Sequence, residues 1–203
     1  MHKKIYCPRF LTGTEFDWIN NVEATDSPEK ADIIVFSGGA DINPDLYGCK
    51  RHSTTYFNRD RDSREINCFN KLSPNQLVVG ICRGAQLTTA LNGGKLIQDV
   101  SGHWEGPHFI TNKDIRFKIE SMHHQMMYPF DMPKEDYKIL YWSSKKRSEY
   151  YEGDQINTPP CEPEVVLYTK KGMPVCLAIQ GHPEMMQHCT AHVVFNDIIK
   201  HLC

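Results

Sequence analysis

Three side chains in this 203-residue chain have the types and spacing to attack a carbonyl: the thiol of Cys82, the imidazole of His182 and the carboxylate of Glu184. Cys82 stands in "QLVVGICRGAQLTTALNGG", residues 76–94, between an apolar run that ends at Ile81 and a helical pattern that starts at once. A strand, one residue and then a helix is a nucleophile-elbow arrangement, whose tight reversal strains the backbone at the middle residue and lifts its side chain out of the sheet. Such a corner needs small neighbours, and Gly80 and Gly84 supply them. At the helix N-terminus the positive end of the dipole favours thiolate, lowering a thiol pKa from about 8.5. The backbone N–H of Arg83 faces the same spot and can hold an oxyanion. The alternative is a buried cysteine closing a strand.

A thiol nucleophile needs a base. "LAIQGHPE" ends an apolar run and then places His182, Pro183 and Glu184 in succession. Proline disfavours the α region for the residue before it, so the segment is expected to stay extended, with residues two apart on one side. His182 then reaches Cys82 while Glu184 orients the imidazole, as in a Cys-His-acid triad. By itself a His-Pro-Glu run is also an ordinary surface loop. A second oxyanion donor is expected at Gly39, where "VFSGGADINPDLYG" leaves a strand on two glycines whose bare backbone can approach a substrate closely. An ordinary turn is the alternative there.

The elements that must position these groups read as mixed α/β. "KIYC" and "ADIIVF" are short strand-length runs, and "QLVVGI" is a continuous apolar run of the kind found in a parallel strand buried on both faces. "DSREINCFNKL" sets Ile66, Phe69 and Leu72 at helical spacing; "GAQLTTAL" does the same with Leu87, Ala90 and Leu91 before Gly93-Gly94 stop it. "HFIT", "IRFKIE", "YKILYWS", "EVVLYT" and "VCLAI" read as strands, the last two joined by "KKGMP" as a hairpin. A final helix carries Val194, Ile198 and Leu202 on one face. The polar stretch "SSKKRSEYYEGDQINTPPCEP" is expected to be a long mobile loop, too short to separate two domains. The expectation is a three-layer α/β sandwich over residues 1–203: one domain, a mostly parallel central sheet, the elbow, and additional antiparallel strands.

Composition narrows the function classes. A net charge of −2 and a pI of about 6.5 give no global basic signal for nucleic acid. No apolar run approaches the roughly 18 residues of a membrane span. The start "MHKKIYCPRF" lacks an apolar core and a cleavage site, so it reads as a first strand rather than a signal peptide. The eight cysteines include no CxxC pair, which points to a reducing, cytoplasmic setting in which most thiols are small buried hydrophobes.

Taken in order, "SGGAD", "GICRGAQ" and "GHPE" resemble the class I glutamine amidotransferase superfamily over nearly the whole chain. "GGADINPDLYG", "DSRE", "ICRGAQ" and "SMHHQ" are most similar to its γ-glutamyl hydrolase branch. The resemblance implies hydrolysis of a γ-glutamyl amide through a thioester, with no cofactor. Cys82 would be the nucleophile, His182 the base and acid, Glu184 its orienter, and the N–H groups of Gly39 and Arg83 the oxyanion hole. Gln86 would hold the γ-glutamyl moiety, and the "SMHHQ" segment, Ser121 to Gln125, with Ser121, Met122 and His123 foremost, would contact its α-amino and α-carboxylate groups. The alternative within the superfamily is a glutaminase subunit delivering ammonia to a separate synthase partner. A catalytically idle binding module is the third reading, and the filled triad positions speak against it.

Two further features invite chemistry. His103, His108, His123 and His124, or His188 with His192, are potential metal ligands, but they lack a closed set of four at finger-like spacing, and the triad needs no metal. The basic cluster Lys50, Arg51, Arg59 and Arg61 follows the glycine loop, and Lys145, Lys146 and Arg147 lie in a second loop. Either they keep loops solvated, or Arg51 and Arg59 bind an anionic, phosphate- or nucleotide-bearing leaving group bidentately.

Overall fold

The computed structural model describes residues 2–8, 16–187 and 189–203. Its strands are β1 (Lys3–Tyr6), β2 (Val22–Ala24), β3 (Ile33–Phe36), β4 (Leu77–Ile81), β5 (Lys95–Ile97), β6 (Asp99–Val100), β7 (His108–Thr111), β8 (Arg116–Ile119), β9 (Met126–Tyr128), β10 (Tyr137–Ser143), β11 (Tyr151–Glu152), β12 (Pro163–Tyr168) and β13 (Val175–Ile179). Its α-helices are α1 (Arg59–Phe69), α2 (Arg83–Leu91) and α3 (Thr190–Leu202).

Nine strands form one sheet in the order β2-β1-β3-β4-β13-β12-β10-β7-β8. The five from β2 to β13 run parallel, and β12, β10, β7 and β8 extend the sheet antiparallel. The register explains the apolar runs. Ile34, Val78 and Cys176 stand side by side, as do Val35, Val79 and Leu177. The first row packs under α1 and α2 with Phe69, Leu87 and Ala90. The second faces α3 with Phe195 and Ile199. A strand covered on both faces needs apolar side chains at every position, which is why β4 and β13 show no alternation.

The hairpin between β12 and β13 forms as expected, with Gly172 at φ 83 in its turn. The helices differ in detail from the sequence reading. α1 starts at Arg59, capped by the Asn58 side chain accepting from the N–H of Arg61, and stops before Leu72. α3 buries Ala191, Phe195 and Ile199, while Val194, Ile198 and Leu202 flank that stripe half-buried. The periodicity is the same but the deepest face lies one residue on, because a helix stripe is wide enough to hold both sets.

The polar stretch after Ser143 is not an open loop. β11 pairs antiparallel with β6, and the Glu162 carboxylate accepts from the N–H groups of Arg147 and Ser148 and from the Tyr151 hydroxyl. One buried carboxylate ties the stretch back onto itself, a device with no hydrophobic period. Among the described residues no helix is long and apolar enough to cross a membrane.

Candidate active site

Cys82 joins β4 to α2 at φ 50 and ψ −107, outside the regions an L-residue normally adopts. The corner closes only because two neighbours lack side chains. A Cβ on Gly84 would lie 1.9 Å from the carbonyl oxygen of Phe36, and one on Gly80 would lie 2.5 Å from that of Gly84. The sheet therefore drives β3 against the start of α2, and the thiol stands at the head of a nine-residue helix.

His182 arrives from β13, the strand beside β4. Its N–H donates to the carbonyl of Glu120 at 2.9 Å, an approach that a Cβ on Gly181 would block at 2.6 Å from that same oxygen. Nδ1 of His182 donates to Oε1 of Glu184 at 2.7 Å. Cys82 lies beside this ring: a Cβ on Gly38 would touch both Cε1 of His182, at 3.0 Å, and Cβ of Cys82, at 3.6 Å. Burial pushes the imidazole down, but the neighbouring Cys82 and Glu184 outweigh it and raise His182 to about 10. The segment is not extended as its sequence predicts. Pro183–Met185 turns as a 3-10 helix, because proline at the first helical position has the φ such a turn requires. The turn still brings Glu184 onto the imidazole.

The glycine loop after β3 forms the opposite wall. Gly39 has φ 142, a conformation that strains any residue with a Cβ. A Cβ on Gly38 would lie 3.0 Å from Cε1 of His182, so the loop backbone lies directly on the ring. Arg61 braces this loop from α1, donating to the carbonyls of Ser37 at 2.8 Å and Gly38 at 3.0 Å. The Arg83 side chain is buried against Asp62 and Glu65, also on α1. "DSRE" thus serves as an anchor for the elbow.

The segment between β8 and β9 closes the end. Met122 and His123 line the cleft, and Nδ1 of His123 donates to the carbonyl of Gln125 at 2.8 Å. Gln86 also lines it and donates to that carbonyl at 3.2 Å. Ser121 is placed differently from the expectation. It is fully buried, is not among the lining residues, and its hydroxyl donates to the carbonyl of His103 at 2.7 Å.

Behind this segment lies a buried ionic cluster. His103 has Glu162 at 3.4 Å and Glu164 at 3.3 Å, at ion-pair distance but off hydrogen-bond geometry, and His108 donates to Glu164 at 2.7 Å. Burial pushes His103 down, but the two carboxylates outweigh it and raise it to about 9. Burial, followed by the charge of His103, lowers His123 to about 3. The ligand atoms of His103, His108 and Glu164 lie within 4.8 Å of one another, as do those of His52, Asp99 and Glu152 at the surface. These are the groups of three such donors among the described residues. In the buried set Glu164 accepts from His108 and faces His103 at ion-pair distance, so imidazoles already meet its charge. His192 instead donates to the carbonyl of Pro183 at 2.7 Å, and His188 lies outside the described residues.

Together these walls enclose a cleft of about 760 Å³ with Cys82, Gln86, His123 and His182 at its floor. Asp41, Tyr56, Trp104, His124 and Met185 line it as well, and of these sequence reasoning did not single out Asp41, Tyr56 and Trp104. Asp41 accepts from His124 at 3.1 Å and from the N–H of Tyr56 at 2.8 Å, and its hydrogen bond raises the pKa of His124. Its one signal was its place two residues after Gly39. Arg51 and Arg59 are a correction, since neither lines the cleft. Arg51 donates to the carbonyl of Thr55 and lies over the rings of Tyr56 and Phe57; Arg59 lies over Phe57 and faces Asp45 at 3.8 Å. Aromatic faces and backbone carbonyls take their charges instead.

Residues 20–128, more than half of the chain, match the family Peptidase C26. The chain belongs to that family, within the class I glutamine amidotransferase superfamily. It is 33% identical over 121 residues to the YvdE homolog of Lactococcus lactis subsp. cremoris, named as glutamine amidotransferase-like, covering 47% of this chain and 63% of that relative. It is 32% identical over 84 residues to Protein NtpR of Enterococcus hirae, covering 39% of this chain and 35% of the relative. The chain thus matches less than two thirds of the length of these curated relatives. In fold, it is similar to a protein of Thermoplasma acidophilum assigned to GMP synthase, at TM-score 0.64 and 17% identity, over 100% of this chain and 92% of that one. It is also similar to a Thermotoga maritima glutamine amidotransferase, at TM-score 0.52 and 17% identity, over 91% and 77%. The solved structures agree with the α/β architecture, and the Peptidase C26 match gives the family.

Proposed function

We propose that this member of the Peptidase C26 family hydrolyses the γ-glutamyl amide bond of a small conjugate, with Cys82 as nucleophile. The observation that carries the reading is Cys82 beside His182 in one cleft, with the imidazole bonded to Glu184 and the thiol on a strained elbow. A histidine raised to about 10 is protonated at neutral pH, which suits a thiolate partner.

The thiolate attacks the γ-carbonyl carbon, and the N–H groups of Arg83 and Gly39 receive the developing oxyanion. Protonated His182 gives its proton to the leaving nitrogen as the C–N bond breaks, leaving a thioester on Cys82 and free amine. Neutral His182 then takes a proton from water, whose hydroxide attacks the thioester. Collapse expels the thiolate and releases glutamate. Glu184 holds the ring in one tautomer throughout. Gln86 and His123, buried at the floor, form the part of the cleft that receives the glutamyl end, and Met122 lies above them on the rim.

The cleft volume is in the range that holds a drug-sized ligand, which favours a conjugate over glutamine alone. The anionic leaving group expected from the basic cluster has no Arg or Lys among the described lining residues to receive it, and it is not part of this proposal. The test is glutamate release from a panel of γ-glutamyl amides, with glutamine included, in the absence of any partner. Turnover of substituted amides supports the hydrolase. Glutamine turnover alone, rising when a synthase is added, would replace it with the ammonia-delivering reading.

A further inference from the structure

We infer that the mouth of the cleft is a leaving-group subsite for an apolar, aromatic amine; the inference rests on the γ-glutamyl hydrolase reading. The cleft is graded. Its floor is polar and buried, with Cys82, Gln86, His123 and His182. Its rim carries Tyr56, Trp104, Met122 and Met185, which are 69%, 64%, 40% and 52% exposed. Half of the eight exposed large hydrophobic residues described in the protein therefore surround this one opening. Scattered singly they would need no explanation, but gathered at the edge of a cleft they mark a binding surface.

The rim side chains are held there rather than stranded. Ser121 and His123 both bond the carbonyl of His103, through the serine hydroxyl at 2.7 Å and the His123 N–H at 3.1 Å. Met122 lies between those two anchors and faces out. Trp104 follows His103, whose ring is fully buried between Glu162 and Glu164. The ionic cluster behind the segment thus presents an indole and a thioether at fixed positions. Met185 sits on the turn that carries Glu184, and the backbone of Tyr56 is fixed to Asp41.

The chemistry of this rim selects among amines. No Lys or Arg among the described residues lines the cleft, while Asp41 and Glu184 do. A carboxylate on the leaving amine would meet no guanidinium and two acids. A flat apolar group would stack on Trp104 and Tyr56 and contact the soft thioethers of Met122 and Met185. A protein partner is the rival occupant. A stable protein interface takes about 800 Å² from each side and some 20–30 residues, whereas four side chains around a concavity suit a small molecule.

The experiment compares glutamate release from γ-glutamyl-methylamide, γ-glutamyl-2-phenylethylamide and γ-glutamyl-aminobutyrate, whose leaving amines have similar basicity. The phenylethylamide is expected to have the highest kcat/KM, by about tenfold, in keeping with an aromatic contact at a partly exposed site. Trp104→Ala should bring the ratio of phenylethylamide to methylamide toward one, and Trp104→Phe should retain most of it. Equal kcat/KM for all three amides, a preference for the carboxylate, or a ratio that Trp104→Ala does not move would each overturn the inference. If methylamide is still cleaved and Cys82 still reacts in those cases, the hydrolase reading stands and the rim is left to a protein partner. If no amide is cleaved and no electrophile labels Cys82, both readings fall together.

Discussion

Arg83, the residue after the elbow thiol, is ion-paired with Glu65 in the interior. The other oxygen of Glu65 accepts from Arg61 at 2.9 Å, and Arg61 in turn holds the carbonyls of Ser37 and Gly38. One carboxylate on α1 therefore ties together two walls of the cleft, the elbow and the glycine loop. Its removal leaves two guanidinium groups short of a partner, one of them fully buried.

Breaking a buried pair from one side costs about 3–5 kcal/mol. Glu65→Ala is expected to lose stability in that range by urea unfolding. Arg59→Ala, which removes an exposed pair with Asp45, should cost no more than about 1 kcal/mol. Comparable losses for the two variants would show that the buried network is not what secures these walls.

Reaction with a thiol electrophile should be confined to one of the eight cysteines. Burial pushes Cys68 up to about 11 and Cys176 up to about 12, and raises Cys49 and Cys161 as well. Cys82 has His182 beside it and opens on the cleft. A glutamine-like chloroketone should modify Cys82 stoichiometrically, by peptide mass mapping. Cys82→Ser should fold with an unchanged circular dichroism spectrum and release no glutamate. Label spread over several cysteines, or substantial turnover by the serine variant, would remove Cys82 from the proposed role.

The parts of this site legible in the sequence are those that single elements dictate. A continuous apolar run ending on a residue between glycines reads as β4, the elbow and α2, because burial on both faces and the tight reversal leave no other composition available. His182 and Glu184 were legible as a pair, although the extended segment expected for them is a turn. What could not be read was set by contacts between distant segments. Arg61 spends its charge on carbonyls 23 and 24 positions earlier, and Glu162 collects donors 11 to 15 positions before it. Neither has a period. The expectation of anion-binding arginines failed for the same reason, since proximity in sequence to the glycine loop does not decide which atoms take the guanidinium. The rim residues Tyr56 and Trp104 were invisible because they lie on unrelated loops that only the folded sheet brings together.

Glu184→Gln separates orienting from nucleophilic chemistry. The amide keeps the shape but can present the wrong group to Nδ1 of His182 and loses the charge that helps hold the ring protonated. In a serine triad, loss of the orienting acid costs about 10⁴ in kcat. A thiol ionises more readily, so the expected loss in glutamate release is smaller, about 10 to 10³. Labelling of Cys82 should persist at a reduced rate. A variant with wild-type kcat and pH profile would mean that the 2.7 Å bond has no part in turnover.

The cluster behind the rim sets an alkaline limit on stability. Burial of the ring pushes His103 down, but Glu162 and Glu164 outweigh it and raise it from an ordinary 6.5 to about 9. A group whose folded pKa is raised binds its proton more tightly when folded, so its contribution is complete below about 6.5 and fades as pH climbs through about 9. Glu162 has the opposite sign. Despite burial, His103 and the N–H groups of Ser148 and Arg147 lower it to about 2, so its contribution is complete above about 4.5 and fades as pH falls through about 2. Both contributions are intact between those limits. His124 and His182 are raised too, so the alkaline decline of the wild-type protein is a sum over three rings. The part due to His103 is the difference between wild type and His103→Gln. Urea midpoints taken from pH 6 to pH 10 should show the two proteins furthest apart at the acid end and converging as His103 loses its proton. Curves that stay parallel throughout would mean that His103 does not carry the proton in the folded protein, and the two carboxylates around it would need another cation.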